Sequence, residues 1–468
     1  MARKILLISY HFPPSAEVGG LRIANFARRL PRFGWNPYVL TVKDRYLQAV
    51  DPEKLNNIGQ TQIFKAGLTP TLSQVYLACK LAARRLLRKM DAPADNASSN
   101  RPEPRGPRRA TETLSMRLRR YILSFLSLPD AQRNWLFPAV IEAVRIVRRE
   151  EIGCILTSCP PYSAHLVGLL VKWITGVQWI ADFRDPWMTT GTKALSPTCS
   201  ASLGIERWLE RTVVRNADRV IANTEMLCEG LKKAYGSIPT ERFICITNGF
   251  DPEFFSSFAH LQKETIFTIT YTGTLYFGRT PEPIFQAVHE LVQDGSVEQR
   301  RIRVRLVGQC RSVEGRPIGE MVERHRLGDV VEVLDPVSYN QAIEMIKQSH
   351  LALLLAPNQP YQIPAKVYDY IGVGTRVLAL AKEGATANLV RNTGIGAVFD
   401  PSDIAGIRGF IGQCLAESGT SGRWVKPDAA NQYDLNSISR RLADELDCLC
   451  VLAPAPEAAS RVSDFYRR

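Results

Sequence analysis

The sequence predicts an α/β protein built from two successive domains, each a parallel sheet with helices on both faces. Three observations lead there. Short apolar runs alternate with segments of helical period along most of the chain. Several runs, such as KILLIS at residues 4–9, are continuously apolar, the pattern of a strand buried on both faces. The alternation stops at a polar stretch around residues 251–264 and then begins again, which marks a domain boundary.

Residues 4–9 are the first predicted strand. A loop over residues 11–20 follows, broken by Pro13-Pro14 and Gly19-Gly20. Ile23, Phe26, Ala27, Leu30 and Phe33 recur at helical spacing and Gly34 ends the helix; residues 37–42 form the next strand. Residues 74–128 interrupt this rhythm. Basic amphipathic helices are expected over 75–90 and 114–128, with a Pro-, Ala-, Ser- and Arg-rich stretch between them. The rhythm then resumes with strands at 154–157, 177–182, 219–222 and 242–247, and helices at 162–175, 203–215 and 224–235.

The second series has strands at 267–271, 303–307, 330–334, 351–355, 376–379 and 396–399. Its helices lie at 281–291, 339–348 and 365–372, and a last helix at 435–449 precedes an Ala/Pro-rich end. The expected domains are 1–258, 259–425 and a C-terminal helix and tail, 426–468, packing back on the first domain. In open parallel sheets, ligands bind beyond the carboxyl ends of the strands.

Composition narrows the function classes. The chain has 468 residues, 45% hydrophobic and 22% charged, an ordinary globular balance. No apolar run reaches the ~18 residues of a membrane span, and the first apolar stretch is too short for a signal peptide. The ten cysteines are scattered without a C-x-x-C pair, which fits reduced thiols in a cytoplasm and argues against structural zinc. The net charge is +13, and residues 79–121 hold twelve Lys or Arg against four acids. Such a segment suits an anionic surface, membrane or nucleic acid. It lacks the interleaved aromatics of single-strand binders, so no specific nucleic-acid partner is expected.

Four constellations sit where ligands are expected. Gly19-Gly20 opens the first helix, where free N–H groups and close backbone approach favour phosphate, although Gly-Gly is also a common turn. WIADFRDPW at 179–187 ends a strand in two acids and an arginine, suited to a ligand or to fixing a loop. TGTLYFGR at 272–279 follows the first strand of the second series. Gly273, Thr274 and Gly278 shape that loop, and Arg279 can fork onto phosphate oxygens. QIPAKVYDY at 362–370 begins a helix with Pro364 and Lys366 in its first turn and Asp369 in the next, where a carboxylate could hold two ribose hydroxyls; an exposed amphipathic helix is the plainer reading. His165 follows a strand end and Cys159-Pro160-Pro161. No GxGxxG follows the first strand, which argues against a dinucleotide dehydrogenase.

Together these segments resemble the family 4 glycosyltransferases of the GT-B fold, two Rossmann-like domains whose parallel sheets face across a cleft. The matching pieces are SYHFPPSAEVGGLR, GWNPYVLT, TSCPPYSAHLVG, ADFRDPW, ADRVIANTEML, ICITNGFDPEFF, TITYTGTLYFGR, VRLVG and IPAKVYDYIGVGTRVLAL, in family order over most of residues 1–400. They are most similar to the bacterial branch that builds surface polysaccharides.

The resemblance implies sugar transfer with retention from a nucleoside-diphosphate sugar to a glycan or polyprenyl-linked acceptor, with no cofactor or metal. It places Gly19, Gly20 and Arg22 by the diphosphate, and gives Arg279 and Lys366 the metal's charge-neutralising role. Gly273 and Thr274 would line the nucleotide, Asp369 would bind the ribose, His165 would lie near the donor sugar, and Asp182 and Arg184 would line the acceptor side. The chain departs from the family at two points. Tyr361 and Asp369 stand where two Glu are frequent, and no Lys follows Arg279 closely, so Lys366 is expected to substitute. The expected location is cytoplasmic, peripheral on the inner membrane face through residues 80–120. The same fold also serves nucleotide-sugar epimerases and degenerate sugar-binding subunits, the alternative reading.

Overall fold

The computed structural model describes residues 3–59, 61–70, 128–188, 200–276, 278–418 and 430–452. The predicted basic segment, 74–128, falls outside these apart from Leu128.

Two parallel sheets form, as the sequence predicts. The first has seven strands in the order β3-β2-β1-β4-β5-β6-β7, where β1 is Arg3–Ile8, β2 Trp35–Val42, β3 Gln62–Ala66, β4 Cys154–Cys159, β5 Gln178–Phe183, β6 Arg219–Ala222 and β7 Phe243–Cys245. The second has six in the order β12-β9-β8-β13-β14-β15, where β8 is Phe267–Thr272, β9 Ile302–Val307, β12 Val331–Leu334, β13 Leu351–Ala356, β14 Arg376–Ala381 and β15 Gly396–Phe399. A small antiparallel pair, β10 (Ser312–Val313) and β11 (Arg316–Pro317), lies outside both. Among the described residues no helix is long and apolar enough to cross a membrane.

The helices are α1 Leu21–Arg29, α2 Leu136–Arg149, α3 Ser163–Thr175, α4 Ser200–Asn216, α5 Glu225–Ala234, α6 Pro252–Ser256, α7 Glu282–Gln293, α8 Ile318–Arg324, α9 Tyr339–Gln348, α10 Lys366–Val373, α11 Ala385–Thr393, α12 Ile404–Ala416 and α13 Leu435–Leu452. Contacts divide the chain into two units. One is Met1–Arg28, Asn36–Ala181 and Gly191–Asp218; the other is Arg29–Trp35, Asp182–Thr190 and Arg219–Arg468.

In the first unit β1 pairs in parallel with β4, Ile5 opposite Cys154 through Ile8 opposite Thr157, and Ile5–Ile8 are fully buried. Helix α3 has no capping side chain of its own. Asp130 supplies one: its carboxylate accepts from the Ser163 backbone N–H at 2.7 Å and from the Ser163 hydroxyl at 2.9 Å, so a distant acid satisfies the helix start. The chain leaves β3 at Thr69 and returns at Asn134. There the Thr69 N–H and hydroxyl both donate to the Asn134 carbonyl, at 2.8 and 3.0 Å.

In the second unit the sheet is covered on both faces. Along β13, Leu351, Leu353 and Leu355 enter one core with Ile284, Phe285 and Ile407, while Ala352 and Leu354 enter the other with Ile343, Val367 and Ile371. Alternate side chains therefore both find apolar partners, and each buried leucine stabilises by about 1.5–3 kcal/mol. Helix α13 is tied to the strand ends beside it: Arg441 donates to the Cys245 carbonyl at 2.6 Å, and Trp35 Nε1 to Asp447 at 2.8 Å.

Candidate active site

Within the second unit, β8 lies between β9 and β13. From β8 the chain steps to β9 and β12 on one side, whereas β13, β14 and β15 lie on the other. This reversal of strand order is a topological switch point, and the loops on either side of it leave in opposite directions and open a crevice. The β8–β9 ladder runs the full strand, from Phe267 opposite Ile302 to Thr272 opposite Val307. The β8–β13 ladder carries only Leu351 opposite Ile269 and Ala352 opposite Thr270. Above those pairs the two strands part.

Lys366 fills the parting. Its ammonium donates to the Thr272 carbonyl at 2.5 Å and stands 4.3 Å from the centre of the Tyr271 ring. The approach depends on two glycines. Gly273 has φ +126°, and a Cβ there would lie 2.7 Å from Lys366 Nζ; at Gly308, φ +120°, a Cβ would meet the Gly273 carbonyl oxygen at 2.3 Å. Both lack of bulk and positive φ are needed at this pair. Tyr271 is locked beneath by its hydroxyl, which donates to the Thr274 carbonyl at 2.9 Å. Burial, with the neighbouring Arg279 guanidinium adding to it, lowers the Lys366 ammonium to about 8.

Arg279 leaves the same loop. Its Nη2 donates to Gln359 Oε1 at 3.1 Å, and its guanidinium lies 4.2 Å over the Tyr276 ring. It is 9% exposed. Two cations thus crowd one strand edge, an arrangement that an anion relieves.

Asp369 lies one turn into α10. Tyr339 donates its hydroxyl to Asp369 Oδ1 at 2.7 Å. Tyr339 is itself placed by the capping box of Ser338 and Gln341 at the start of α9 and by Phe254, stacked at 5.6 Å. Burial raises the Asp369 carboxyl to about 7, against the pull of Tyr339 and Lys366 in the other direction. Lys366 is the first residue of α10 and Ala365 its N-cap. Pro364 therefore stands before the helix and not in its first turn as predicted; its carbonyl accepts from the Val367 N–H at 3.1 Å in a tight lead-in.

Asp182 and Arg184, at the end of β5, belong to the second unit, whose segment 182–190 begins there; Asp182 is fully buried and Arg184 half-buried. Beside them Asp185 accepts from Gln362 Nε2 at 2.5 Å, and the Tyr361 carbonyl accepts from the Thr224 hydroxyl at 2.7 Å. Tyr361 is thus held by its backbone.

The remaining candidates belong to the first unit. Gly19 and Gly20 form a single 3-10 turn that runs into α1, with Gly20 so close to the preceding loop that a Cβ would stand 3.0 Å from Phe12 Cα. Arg22 is 7% exposed, its guanidinium 5.0 Å over Phe26. His165 is fully buried in the first turn of α3. Its Nδ1 and the Thr157 hydroxyl are 2.8 Å apart, and the same hydroxyl accepts from Trp179 Nε1 at 2.8 Å.

The structure therefore gathers Gly273, Thr274, Arg279, Lys366 and Asp369 at one sheet edge of the second unit. Sequence reasoning missed Tyr271, Gly308, Gln359 and Tyr339, which hold that group. Tyr339 is 30 residues from Asp369, and only the SYNQ capping signal hinted at its place.

Comparisons with known proteins fit this picture. Residues 19–249 match the glycosyl transferase 4-like domain. A D-inositol 3-phosphate glycosyltransferase of Gordonia bronchialis is 29% identical over 231 residues, 44% of this chain. The match spans 49% of that relative, about half its length. Among solved structures, Anabaena HepE in complex with UDP-glucose superposes with a TM-score of 0.58 at 15% identity, over 95% of this chain and 99% of that one. Sucrose-phosphate synthase from Thermosynechococcus elongatus gives 0.62 at 14% identity, over 96% and 100%. A glycosyltransferase from Rickettsia africae gives 0.61 at 12% identity, over 96% and 99%. These likenesses establish the GT-B fold.

Proposed function

We infer that this chain, a GT-B protein whose residues 19–249 are a glycosyl transferase 4-like domain, moves a sugar from a nucleoside-diphosphate sugar to an acceptor hydroxyl. One observation carries the reading: Lys366 and Arg279 converge beside Gly273 at the switch point of the second sheet, with Asp369 one helical turn away. A paired cation set next to a carboxylate suits a diphosphate joined to a ribose.

In this reading the bond between the sugar's anomeric carbon and the phosphate oxygen breaks as the acceptor oxygen bonds to that carbon. The acceptor proton passes to the departing phosphate oxygen, on the face the leaving group occupied, so configuration is retained. Arg279 and Lys366 offset the charge that develops on the diphosphate, the largest electrostatic demand of the step, and no metal is required. Asp369 accepts from the ribose hydroxyls. The roles implied by the family for Gly19, Gly20 and Arg22 (diphosphate), Thr274 (nucleotide), His165 (donor sugar) and Asp182 with Arg184 (acceptor) are part of the same proposal. So is a glycan or polyprenyl-linked acceptor in surface polysaccharide synthesis at the cytoplasmic membrane face, which rests on the family branch the motifs resemble.

The test is thermal shift of the full chain against UDP, GDP, ADP, CMP and dTDP, with chelator present. A diphosphate at 100 times its Kd stabilises by about 2.7 kcal/mol. A shift with one diphosphate that survives chelator and is lost in Arg279→Ala supports the reading; no shift with any overturns it. Product analysis then separates transfer, which releases the nucleotide, from epimerisation, which does not.

A further inference from the structure

The first unit has an outward face that neither the fold nor the candidate site uses. Of the eleven large apolar side chains exposed among the described residues, five lie on three helices that pack together: Phe137 and Ile141 on α2, Trp173 and Ile174 on α3, and Trp208 on α4. Helix α3 packs against both α2 and α4. Trp173 Nε1 donates to Asn216 Oδ1 at the end of α4, at 3.2 Å, so the ends of α3 and α4 are side by side. Phe137 and Ile141 are one turn apart on α2, and their inward neighbours Ala139, Val140 and Ala143 are buried. The apolar groups are therefore a second, outer set and not a frayed part of the core.

The exposed charged side chains on α2 and α4 are all arginines. On α4, Arg207, Arg211 and Arg215 are exposed at helical spacing around Trp208, while Glu206 and Glu210 are buried beneath. On α2, Arg145, Arg148 and Arg149 are exposed along the stripe that begins at Phe137. Of these, Arg145 pairs with Glu142 at 3.3 Å and Arg149 with Glu150 at 2.8 Å, which leaves Arg148, Arg207 and Arg211 to carry the positive field. Trp208, 62% exposed and flanked by Arg207 and Arg211, combines the two groups that settle at a lipid headgroup layer, an indole at the apolar boundary and a guanidinium on phosphate; Trp173, 59% exposed at the neighbouring helix end, adds a second indole.

We propose that the outer face of α2, α3 and α4 docks on an anionic lipid surface, with Trp173 and Trp208 entering the headgroup region and Arg207 and Arg211 on lipid phosphates. Charge decides the occupant. A second copy of this face would set arginine against arginine, whereas an anionic bilayer meets both sets of groups at once. The surface is built from residues between 137 and 211, none of which falls in the sequence segment 80–120, and its binding is tested without donor or acceptor.

The experiment is co-sedimentation of the full chain with vesicles of phosphatidylcholine alone and of phosphatidylcholine mixed with phosphatidylglycerol, with tryptophan emission followed in parallel. Binding confined to the anionic vesicles, weakened by salt and accompanied by a blue shift, is expected. Arg207→Gln with Arg211→Gln should weaken it more than about tenfold, since each charge near an anionic leaflet is worth roughly a fivefold change. Trp173→Ala with Trp208→Ala should abolish the blue shift, and both variants should keep the parent's melting temperature. The proposal is overturned if the parent binds neither vesicle, or if both variants bind like the parent while removal of residues 80–120 abolishes binding. It is also overturned if the variants only convert a lipid-free dimer to monomer, which would make a second copy the occupant.

Discussion

The ammonium of Lys366 occupies the space that a side chain on Gly273 would take: a Cβ there stands 2.7 Å from Nζ. One residue is small so that another, 93 positions later, can reach the strand edge. Gly273→Ala should therefore act twice. The positive φ costs about 1–3 kcal/mol in stability, and the displaced ammonium lowers nucleoside-diphosphate affinity. Chemical denaturation and calorimetric titration separate the two losses; unchanged affinity would show that Lys366 does not depend on this gap.

Lys366→Met keeps the stem and removes the charge. Loss of one charge-assisted contact should weaken diphosphate binding by roughly 10–100-fold, with little change in melting temperature. The pH dependence has a definite sign. The folded-state value of about 8 lies below the usual lysine value of 10.5, so the unfolded chain holds more protons between the two. Stability then rises with pH across that window, and the Met variant lacks the rise. Anion binding favours the protonated lysine, so affinity should fall as pH climbs through 8 in the parent and stay flatter in Lys366→Met.

Asp369→Asn should trade affinity for stability. The carboxyl sits at about 7 against a usual 3.8. Between those values the folded chain holds the extra proton, so the parent loses stability as pH rises through the window. The Asn variant, which can still accept from Tyr339, should melt higher than the parent above about pH 7 and converge with it in acid. Its affinity for the nucleotide should fall about tenfold through the lost ribose contact. A melting temperature below the parent's at neutral pH would contradict the burial argument.

Thr157 serves two buried partners at once, His165 and Trp179. Thr157→Val should cost about 1–3 kcal/mol by leaving polar groups unsatisfied, and His165→Ala about 2–4 kcal/mol by opening a cavity. Urea titration measures both. Turnover compared well below either transition then shows whether His165→Ala loses more than stability, as the donor-sugar role proposed for it requires.

Much of the fold was legible because parallel strands write themselves as apolar runs and their covering helices as a 3.6-residue period: strands 219–222 and 396–399 and helix 339–348 have the predicted bounds. Helix α12 was not. Its sequence places Gly406, Gly409 and Gly412 at three-residue intervals, a pattern of loops, and the helix is secured instead by Asp403, which accepts from the Gly406 N–H at 2.9 Å, and by packing on α7. Arg279, Lys366 and Asp369 could be picked out because charged residues at strand ends and helix starts stand out against apolar surroundings. Tyr271, Gly308 and Tyr339 could not, because their roles come from proximity across the sheet edge, which no local pattern records.

The hydrogen bonds from Thr69 to Asn134 join the two ends of the stretch between them. Loop closure grows only as the logarithm of length, about 0.6 kcal/mol per doubling. Once the ends are fixed, what lies between can lengthen, shorten or change composition without shifting β3 or α2. The clasp thus makes chain length at this point a minor energetic matter: β3 and α2 are tied by two hydrogen bonds to one carbonyl, and not by the number of residues that separate them in sequence.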